Sequence, residues 1–162
     1  MQDQNFYGQK EIMELKTENS PVLSLDYDFQ VPFYDLDGIQ MVWHGNYVKY
    51  MEDAREKFGA KYGFEYLHIF NSGYLAPVAD MHIKYKNSAR ISELLNVKIT
   101  YVPTRSAKMV FNYLITRKSD GAVIIEAQTT QLFVTRSGVF EASNPEFYAQ
   151  WKDRWGFFPV NS

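Results

Sequence analysis

The sequence predicts a single α+β domain in which an antiparallel sheet of about five strands wraps around one long helix. Two observations lead to this fold class. One stretch in the first third of the chain repeats apolar residues at helical spacing, and several other stretches alternate apolar with polar residues as half-buried strands do. With 162 residues, the chain is long enough to bury one core without a metal or disulfides.

The chain starts with a polar segment that is followed by a first strand. Residues 1–20 show little regular pattern, so we expect an N-terminal extension there and one domain over residues 21–162. The sequence from Leu23 to Tyr34 is strand-like, with apolar residues at every second position as far as Val31. Pro32 weakens the end of this strand or marks it as an edge strand. The following Tyr-Asp-Leu-Asp-Gly segment has the composition of a turn.

The central helix is predicted from one continuous apolar stripe. Lys49, Asp53 and Lys57 occupy the opposite face at the spacing of helical ion pairs. Gly63 suits the position that follows the last helical residue. The apolar stripe consists of Tyr47, Tyr50, Met51, Ala54 and Phe58.

The second half of the chain is predicted to be mostly strands. Residues 64–76 form a short irregular or helical piece, and residues 118–121 have the composition of a hairpin turn. Short connections between alternating strands imply an antiparallel meander with one buried face. Asn144 is predicted to cap a terminal helix, with Pro145 at its first position. The alternating stretches start near Met81, Leu95, Ala107 and Val123.

One helix covers only one face of such a sheet. The opposite face still needs cover, and the sequence offers no further long helix to provide it. Pairing with a second copy solves this problem, so we expect a homo-oligomer, either a dimer or a dimer of dimers. The 12 Tyr and 12 Phe residues suit a broad subunit interface or an apolar ligand tunnel, and they suit an aromatic-rich core equally well.

The composition excludes several classes of function. A net charge of −2 without a cluster of basic residues argues against a nucleic-acid partner. The absence of cysteine excludes disulfides, thiol catalysis and thiolate metal sites. No apolar stretch is long enough to span a membrane, and the first residues lack the features of a secretory signal, which favours a cytoplasmic protein without a membrane partner. His44, His68 and His82 have no metal-ligand spacing, so no metal site is expected.

The most informative stretch joins an acidic turn to the start of the helix. Asp37 lies in the turn, seven positions ahead of His44. A helix start presents free backbone N–H groups and the positive end of the helix dipole. A carboxylate beside such donors is suited to acyl chemistry, because it can attack or activate water while the donors stabilise the oxyanion.

This stretch resembles the signature of a known family. The pattern Asp37-x₆-His44-Gly-Asn46-Tyr47-x₂-Tyr50-x-Glu52-x-Ala54-Arg55 is similar to that of hotdog-fold acyl-CoA thioesterases of the 4-hydroxybenzoyl-CoA thioesterase type. The likeness extends over roughly residues 25–140, and the predicted order of elements agrees with the hotdog fold. In one place the sequence departs from the family. Many members have a glycine three residues after the Asp, whereas here that position is Gln40 and the glycine is Gly38.

The resemblance implies roles for individual residues. Asp37 would be the ionised nucleophile or general base, and the backbone N–H of His44 would bind the thioester carbonyl oxygen. Asn46 and Tyr47 would shape the substrate pocket, although Tyr47 also belongs to the apolar stripe. The neighbouring Asp35 lacks the family spacing, so we interpret it as a turn or surface residue.

Other charged residues carry less specific predictions. Glu52 and Arg55 are three residues apart on the helix and could form a local ion pair or fix a dimer interface. Five scattered cations are candidates for the phosphates of coenzyme A, and the sequence singles out none of them. They are Lys84, Lys86, Arg90, Arg105 and Lys108.

The resemblance therefore implies hydrolysis of an acyl-CoA thioester to a free acid and coenzyme A, with no cofactor. Two alternatives remain open at this point: a thioesterase for acyl carrier protein, and an acyl-CoA-binding module without turnover. The sequence does not identify the acyl group, because aromatic pocket residues suit aryl and medium-chain acyl groups equally well.

Overall fold

A computed structural model describes residues 21–158 of the chain and confirms the predicted α+β class. The predicted extension over residues 1–20 lies outside the described residues. A 3₁₀ turn over Phe33–Asp35 follows the first strand. The strands and α-helices, in chain order, are β1 (Ser24–Gln30), α1 (Asn46–Tyr62), α2 (Tyr66–Asn71), β2 (Tyr74–Leu75), β3 (Val78–Tyr85), β4 (Leu94–Val102), β5 (Lys108–Arg117), β6 (Val123–Thr135), β7 (Phe140–Glu141) and α3 (Glu146–Arg154).

The central helix α1 forms where the apolar stripe predicted it. All five stripe residues are buried in the core. The helix ends before Gly63, whose φ of 71° is in the left-handed region that glycine adopts at low cost. Among the helices of the described residues, none is both long and apolar enough to cross a membrane.

The sheet is antiparallel, and its long strands follow the order β1–β4–β5–β6–β3. The predicted meander is confirmed for β4, β5 and β6, which pair consecutively. It is wrong for β3, which pairs with β6 instead of its successor in the chain and leaves β4 free to pair with β1. The alternation of side chains fixes which face is buried, but it does not fix which strands pair.

The two faces of the sheet differ in character. The inner face packs against α1 and carries the buried alternate residues of β4, β5 and β6. The outer face is mostly polar, so it can contact water without cover. This face therefore does not require a second layer, and the expected pairing with a second copy stays a prediction. Its polar residues include Asn96, Lys98, Asn112, Glu126 and Gln128.

The terminal helix α3 closes one end of the core with aromatic side chains. Tyr148 and Trp151 are buried there, and the Trp151 indole donates a hydrogen bond to the carbonyl of Tyr62 at 2.9 Å. Pro145, not Asn144, is the residue that precedes the helix, so the predicted cap was wrong by one residue. The Asn144 side chain instead accepts a hydrogen bond from the Lys152 ammonium at 2.9 Å.

Six tyrosine hydroxyls in the described residues share one electrostatic feature. Burial is the largest cause of a raised pKa in each of them, because the phenolate is poorly solvated in the core. The pKa of Tyr27 and that of Tyr113 both rise to about 12. The six residues are Tyr27, Tyr47, Tyr50, Tyr101, Tyr113 and Tyr148.

We predict that alkaline conditions destabilise the fold through these tyrosines. A pKa raised by folding contributes stability that is complete below the unfolded pKa of about 10 and is lost as the pH rises towards the folded values. The free energy of unfolding in urea should therefore fall as the pH rises from about 10 to about 12. Tyrosinate absorbance should develop in two steps, the exposed tyrosines first and the buried ones together with unfolding. A single step near the ordinary pKa, without loss of stability, would contradict this account.

Candidate active site

The loop after the 3₁₀ turn holds the Asp37 carboxylate in place. Leu36 and Val42 pair across the loop, and the Asp37 N–H donates to the carbonyl of Met41 at 2.7 Å. Asp37 Oδ1 accepts hydrogen bonds from the N–H groups of Ile39 at 2.9 Å and Met41 at 3.1 Å. Within residues 21–158, Oδ2 has no hydrogen-bond partner. One oxygen of the carboxylate is thus fixed by the loop, and the other is available for chemistry.

Gln40 occupies the loop position that is a glycine in many members of the resembled family. Its φ is 64°, in the left-handed region. A side chain in this conformation costs roughly 1–2 kcal/mol relative to the right-handed one. Gln40 therefore adopts a left-handed backbone conformation that suits glycine. The hydrogen bonds of Asp37 within the loop offset its cost.

Asp35 lies in the 3₁₀ turn as expected, but the surface interpretation was wrong because the residue is only 3% exposed. Its Oδ2 accepts a hydrogen bond from the Tyr50 hydroxyl at 2.7 Å, and its Oδ1 accepts one from the Lys49 ammonium at 3.1 Å. Its carbonyl accepts from the Trp43 N–H at 3.0 Å and from Asn46 Nδ2 at 2.8 Å. Asp35 therefore ties the turn before the Asp37 loop to the start of α1.

The sequence contained one signal for this buried carboxylate. Tyr50 belongs to the apolar stripe, and a buried tyrosine hydroxyl needs a hydrogen-bond partner. Burial, followed by the bond to Asp35, raises the pKa of Tyr50 and keeps its hydroxyl protonated as the donor. The signal does not identify the partner, which lies 15 residues earlier in the chain.

His44 lies two residues before the first residue of α1. Its carbonyl accepts a hydrogen bond from the Tyr85 hydroxyl at 3.0 Å. Its N–H has no hydrogen-bond acceptor among the residues that the structure describes. A Cβ at Gly45 would lie 2.1 Å from the Trp43 ring, so the backbone after His44 can approach that ring only because residue 45 is glycine. The turn thus presents a free donor at the positive end of the helix dipole.

A cavity of about 350 Å³ brings the predicted residues together. Asp37, His44 and Tyr47 all line it. Asn46 is not in the lining, because its side chain is bound to the Asp35 carbonyl. Sequence reasoning missed a further part of the lining, contributed by the end of β3 and the loop after it. Those residues are Tyr85, Lys86, Asn87 and Ser88.

Of the five cations that were candidates for binding the phosphates of coenzyme A, only Lys86 lines the cavity. Glu52 and Arg55 form the predicted local pair, with the guanidinium 2.7 Å from the carboxylate, and they are not in the lining. Chemically, the cavity combines a partly free carboxylate with a free backbone donor. That combination suits nucleophilic or general-base attack on a carbonyl whose oxygen is stabilised by the donor.

Comparison with known proteins identifies a matching family. The family model described as the Thioesterase-like superfamily matches residues 31–151. The Bacillus subtilis (strain 168) protein YneP, whose name proposes an acyl-CoA thioesterase, is 28% identical over 109 residues. That match covers 67% of this chain and 78% of YneP.

Solved structures share the architecture. The DHNA-CoA thioesterase from Staphylococcus aureus superposes with a TM-score of 0.67 at 23% identity. The match covers 84% of this chain and 84% of that one. A 4-hydroxybenzoyl-CoA thioesterase variant, in complex with 4-hydroxybenzoyl-CoA, superposes with a TM-score of 0.69 at 18% identity. The match covers 80% of this chain and 98% of that one. These likenesses confirm the predicted hotdog fold.

We predict that Asp35→Asn destabilises the protein. An amide has one carbonyl oxygen, so either the Tyr50 hydroxyl or the Lys49 ammonium loses its acceptor, which lowers the free energy of unfolding by about 1–3 kcal/mol. Asp53→Asn is the matched control, because Asp53 lies exposed on α1 and its charge loss should change stability by less than about 0.5 kcal/mol. Urea unfolding measures both variants. Equal stability of Asp35→Asn and the unmodified protein would show that the buried contacts are dispensable.

Proposed function

Because the chain belongs to the thioesterase-like superfamily, we propose that it hydrolyses an acyl-CoA thioester to a free acid and coenzyme A. The observation that supports this proposal most is that Asp37 and the start of α1 line the same cavity. The name of YneP and the thioesterases among the structural neighbours support the same class of reaction.

In the proposed mechanism, Asp37 starts the reaction through Oδ2, since Oδ1 is occupied by two loop N–H groups. As a nucleophile, it attacks the thioester carbonyl carbon, expels the thiolate and leaves an anhydride that water then hydrolyses. As a general base, it takes a proton from the water that attacks the same carbon. In both routes the oxygen of the carbonyl gains negative charge.

We assign the stabilisation of that charge to the His44 N–H. It has no acceptor among the described residues, and the helix dipole adds to its effect. Loss of one such donor typically costs about 10²–10³ in rate. The imidazole has no assigned step in this scheme, because its ring is exposed beside Trp43.

The remaining predicted residues take three roles. Tyr47 forms part of the cavity wall, where its hydroxyl accepts a hydrogen bond from the Ala89 N–H at 3.2 Å and fixes the ring. We propose that its ring contacts the acyl group. Asn46 acts by positioning, through its bond to Asp35. Lys86 is the candidate for a phosphate of coenzyme A, because it carries a positive charge at the cavity.

The free edge of β3 favours association of the chain with a second copy of itself. Strand β3 pairs with β6 along one edge, and its other edge has no partner strand within the described part of the chain. Met81 and Ile83 on its inner face are only half-buried, and Tyr85 is 50% exposed. An open edge beside partly covered apolar residues favours pairing with another strand. We therefore propose a dimer through β3, or a dimer of such dimers.

We predict that Asp37→Asn lowers thioester hydrolysis by at least about 10²-fold, because the variant keeps the size of the side chain and loses its charge. A panel of acyl-CoAs, with a thiol-reactive dye to detect free coenzyme A, measures the rate. Asp53→Asn controls for the loss of an exposed carboxylate away from the cavity. His44→Ala should be milder than Asp37→Asn, since it retains the backbone N–H. Full activity of Asp37→Asn would refute the mechanism.

We predict that the protein sediments as a dimer or tetramer at micromolar concentration, because the open edge of β3 would otherwise remain exposed. Analytical ultracentrifugation over a dilution series tests this assembly. A monomer throughout the series would overturn it.

A further inference from the structure

A tyrosine of β3 contacts the turn that carries the proposed oxyanion donor. Tyr85 is the last residue of β3 and lines the cavity. Its ring lies 5.9 Å from the ring of Tyr47 on α1. Its hydroxyl donates a hydrogen bond to the carbonyl of His44 at 3.0 Å, across 41 residues of the chain. This side chain therefore connects the end of β3 to the turn that precedes α1.

The turn before α1 has a defined geometry. The N–H of Asn46 donates to the carbonyl of Trp43 at 2.8 Å, which closes a four-residue turn around His44 and Gly45. Gly45 has a φ of −71° and a ψ of −22°, as the third residue of a type I turn does. In a type I turn the second residue also has right-handed angles, so the backbone passes from His44 directly into α1. The direction of the His44 N–H is thus set by the two peptide groups that flank this residue.

Each of these two peptide groups is held by one hydrogen bond. The peptide group before His44 contains its N–H and the carbonyl of Trp43, and this carbonyl accepts from Asn46. Because a trans peptide is planar, fixing the carbonyl also fixes the N–H on its other side. The peptide group after His44 contains its carbonyl, which accepts from Tyr85. Of the two bonds, only the one from Tyr85 comes from outside the turn.

The helix itself does not supply a donor to the His44 carbonyl. The N–H of Val48 donates to the carbonyl of Gly45 at 3.3 Å, so the helical hydrogen bonds begin one residue after His44. Within residues 21–158, Tyr85 is the donor that remains for this carbonyl. Without its hydroxyl the peptide group after His44 can rotate towards water, which changes the backbone angles of His44 and the direction of its N–H.

We propose that Tyr85 is a positioning residue for the hydrolysis: by holding the carbonyl of His44, its hydroxyl orients the N–H of the same residue towards the thioester oxygen. This inference rests on the proposed function, since it assumes that the His44 N–H binds that oxygen. Tyr85 acts through the backbone of His44 in this scheme and exchanges no proton with the substrate.

The surroundings of this hydrogen bond determine when it matters. Tyr85 is 50% exposed, so water competes for its hydroxyl while no substrate is bound. An acyl group in the cavity excludes this water, and a hydrogen bond is stronger in the drier site. The bond should therefore contribute little to the stability of the free protein and more to the rate of the reaction.

Tyr27 of β1 provides a matched control. Its hydroxyl also donates to a backbone carbonyl, that of Tyr50 in α1, at 3.2 Å. This bond is partly buried, and neither of its residues lines the cavity. Tyr27→Phe and Tyr85→Phe each remove one hydroxyl and one hydrogen bond to a backbone carbonyl, and both keep the aromatic ring.

The two variants should rank in opposite order in kinetics and in stability. The substrate is the one that the unmodified protein hydrolyses fastest among acetyl-CoA, hexanoyl-CoA, dodecanoyl-CoA and benzoyl-CoA. The kcat of Tyr85→Phe should fall at least about tenfold, which is less than the about 10²–10³ for loss of a whole donor. Its KM should stay within about threefold, because a misdirected N–H affects mainly the transition state. Tyr27→Phe should keep both constants within about twofold and lower the urea midpoint more than Tyr85→Phe does.

A spectroscopic measurement tests the orientation of the N–H without turnover. Each substitution is added to the Asp37→Asn variant, which then binds hexanoyl-CoA, dodecanoyl-CoA or benzoyl-CoA with an isotope label in the thioester carbonyl. A hydrogen bond to the carbonyl oxygen weakens the double bond and lowers its stretching frequency in infrared difference spectra. Tyr85→Phe should raise the frequency of the bound carbonyl, whereas Tyr27→Phe should leave it unchanged.

The outcomes separate this inference from the proposed function. Hydrolysis by Tyr85→Phe with full kcat, or with only KM raised, would overturn the inference and leave the thioesterase standing. Loss of the oligomer together with kcat in Tyr85→Phe would assign the tyrosine to a subunit contact of β3 and overturn the inference as well. A carbonyl frequency that depends on Tyr85, without hydrolysis by the unmodified protein, would support the positioning and refute the proposed activity.

Discussion

A buried carboxylate holds the turn before the Asp37 loop against the first helix. Asp35 accepts hydrogen bonds from Tyr50 and Lys49 of α1, and its carbonyl accepts from Trp43 and Asn46. In a core of low dielectric constant such bonds strengthen one another, and an unmatched partner is costly. The position of Asp37, two residues later, relative to the start of α1 depends on this cluster, so the proposed chemistry depends on a residue that contacts no substrate.

Hydrogen bonds at the cavity fix the groups that the proposed reaction uses. Near the cavity, Oδ1 of Asp37 is saturated by its own loop, and Tyr85 holds the carbonyl of His44. These contacts orient the groups that would react and leave one carboxylate oxygen and one N–H free. Groups that are held in this way suit reaction with a substrate, since little reorganisation is needed when it binds.

Local patterns in the sequence predicted the parts of the fold that depend on local physics. The stripe of α1 and its end at Gly63 follow from helical periodicity and backbone freedom, and both are confirmed. The pairing of β3 with β6 depends on contacts between distant strands, which alternation does not encode. The burial of Asp35 was missed for a similar reason, because its partner Tyr50 lies far along the chain and an Asp in a turn is usually exposed. The resemblance joined Asp37 to His44 in one site; both line one cavity, and their catalytic roles stay a prediction.

The central claim is that the Asp37 loop and the start of α1 act together on one thioester carbonyl. A crystal structure of the Asp37→Asn variant with an intact acyl-CoA tests it most directly. The account predicts that the carbonyl oxygen accepts a hydrogen bond from the His44 N–H at about 2.7–3.1 Å, with the carbonyl carbon next to the side chain at position 37. A thioester bound away from this cavity, or a His44 N–H that stays free while the carbonyl contacts other donors, would contradict it.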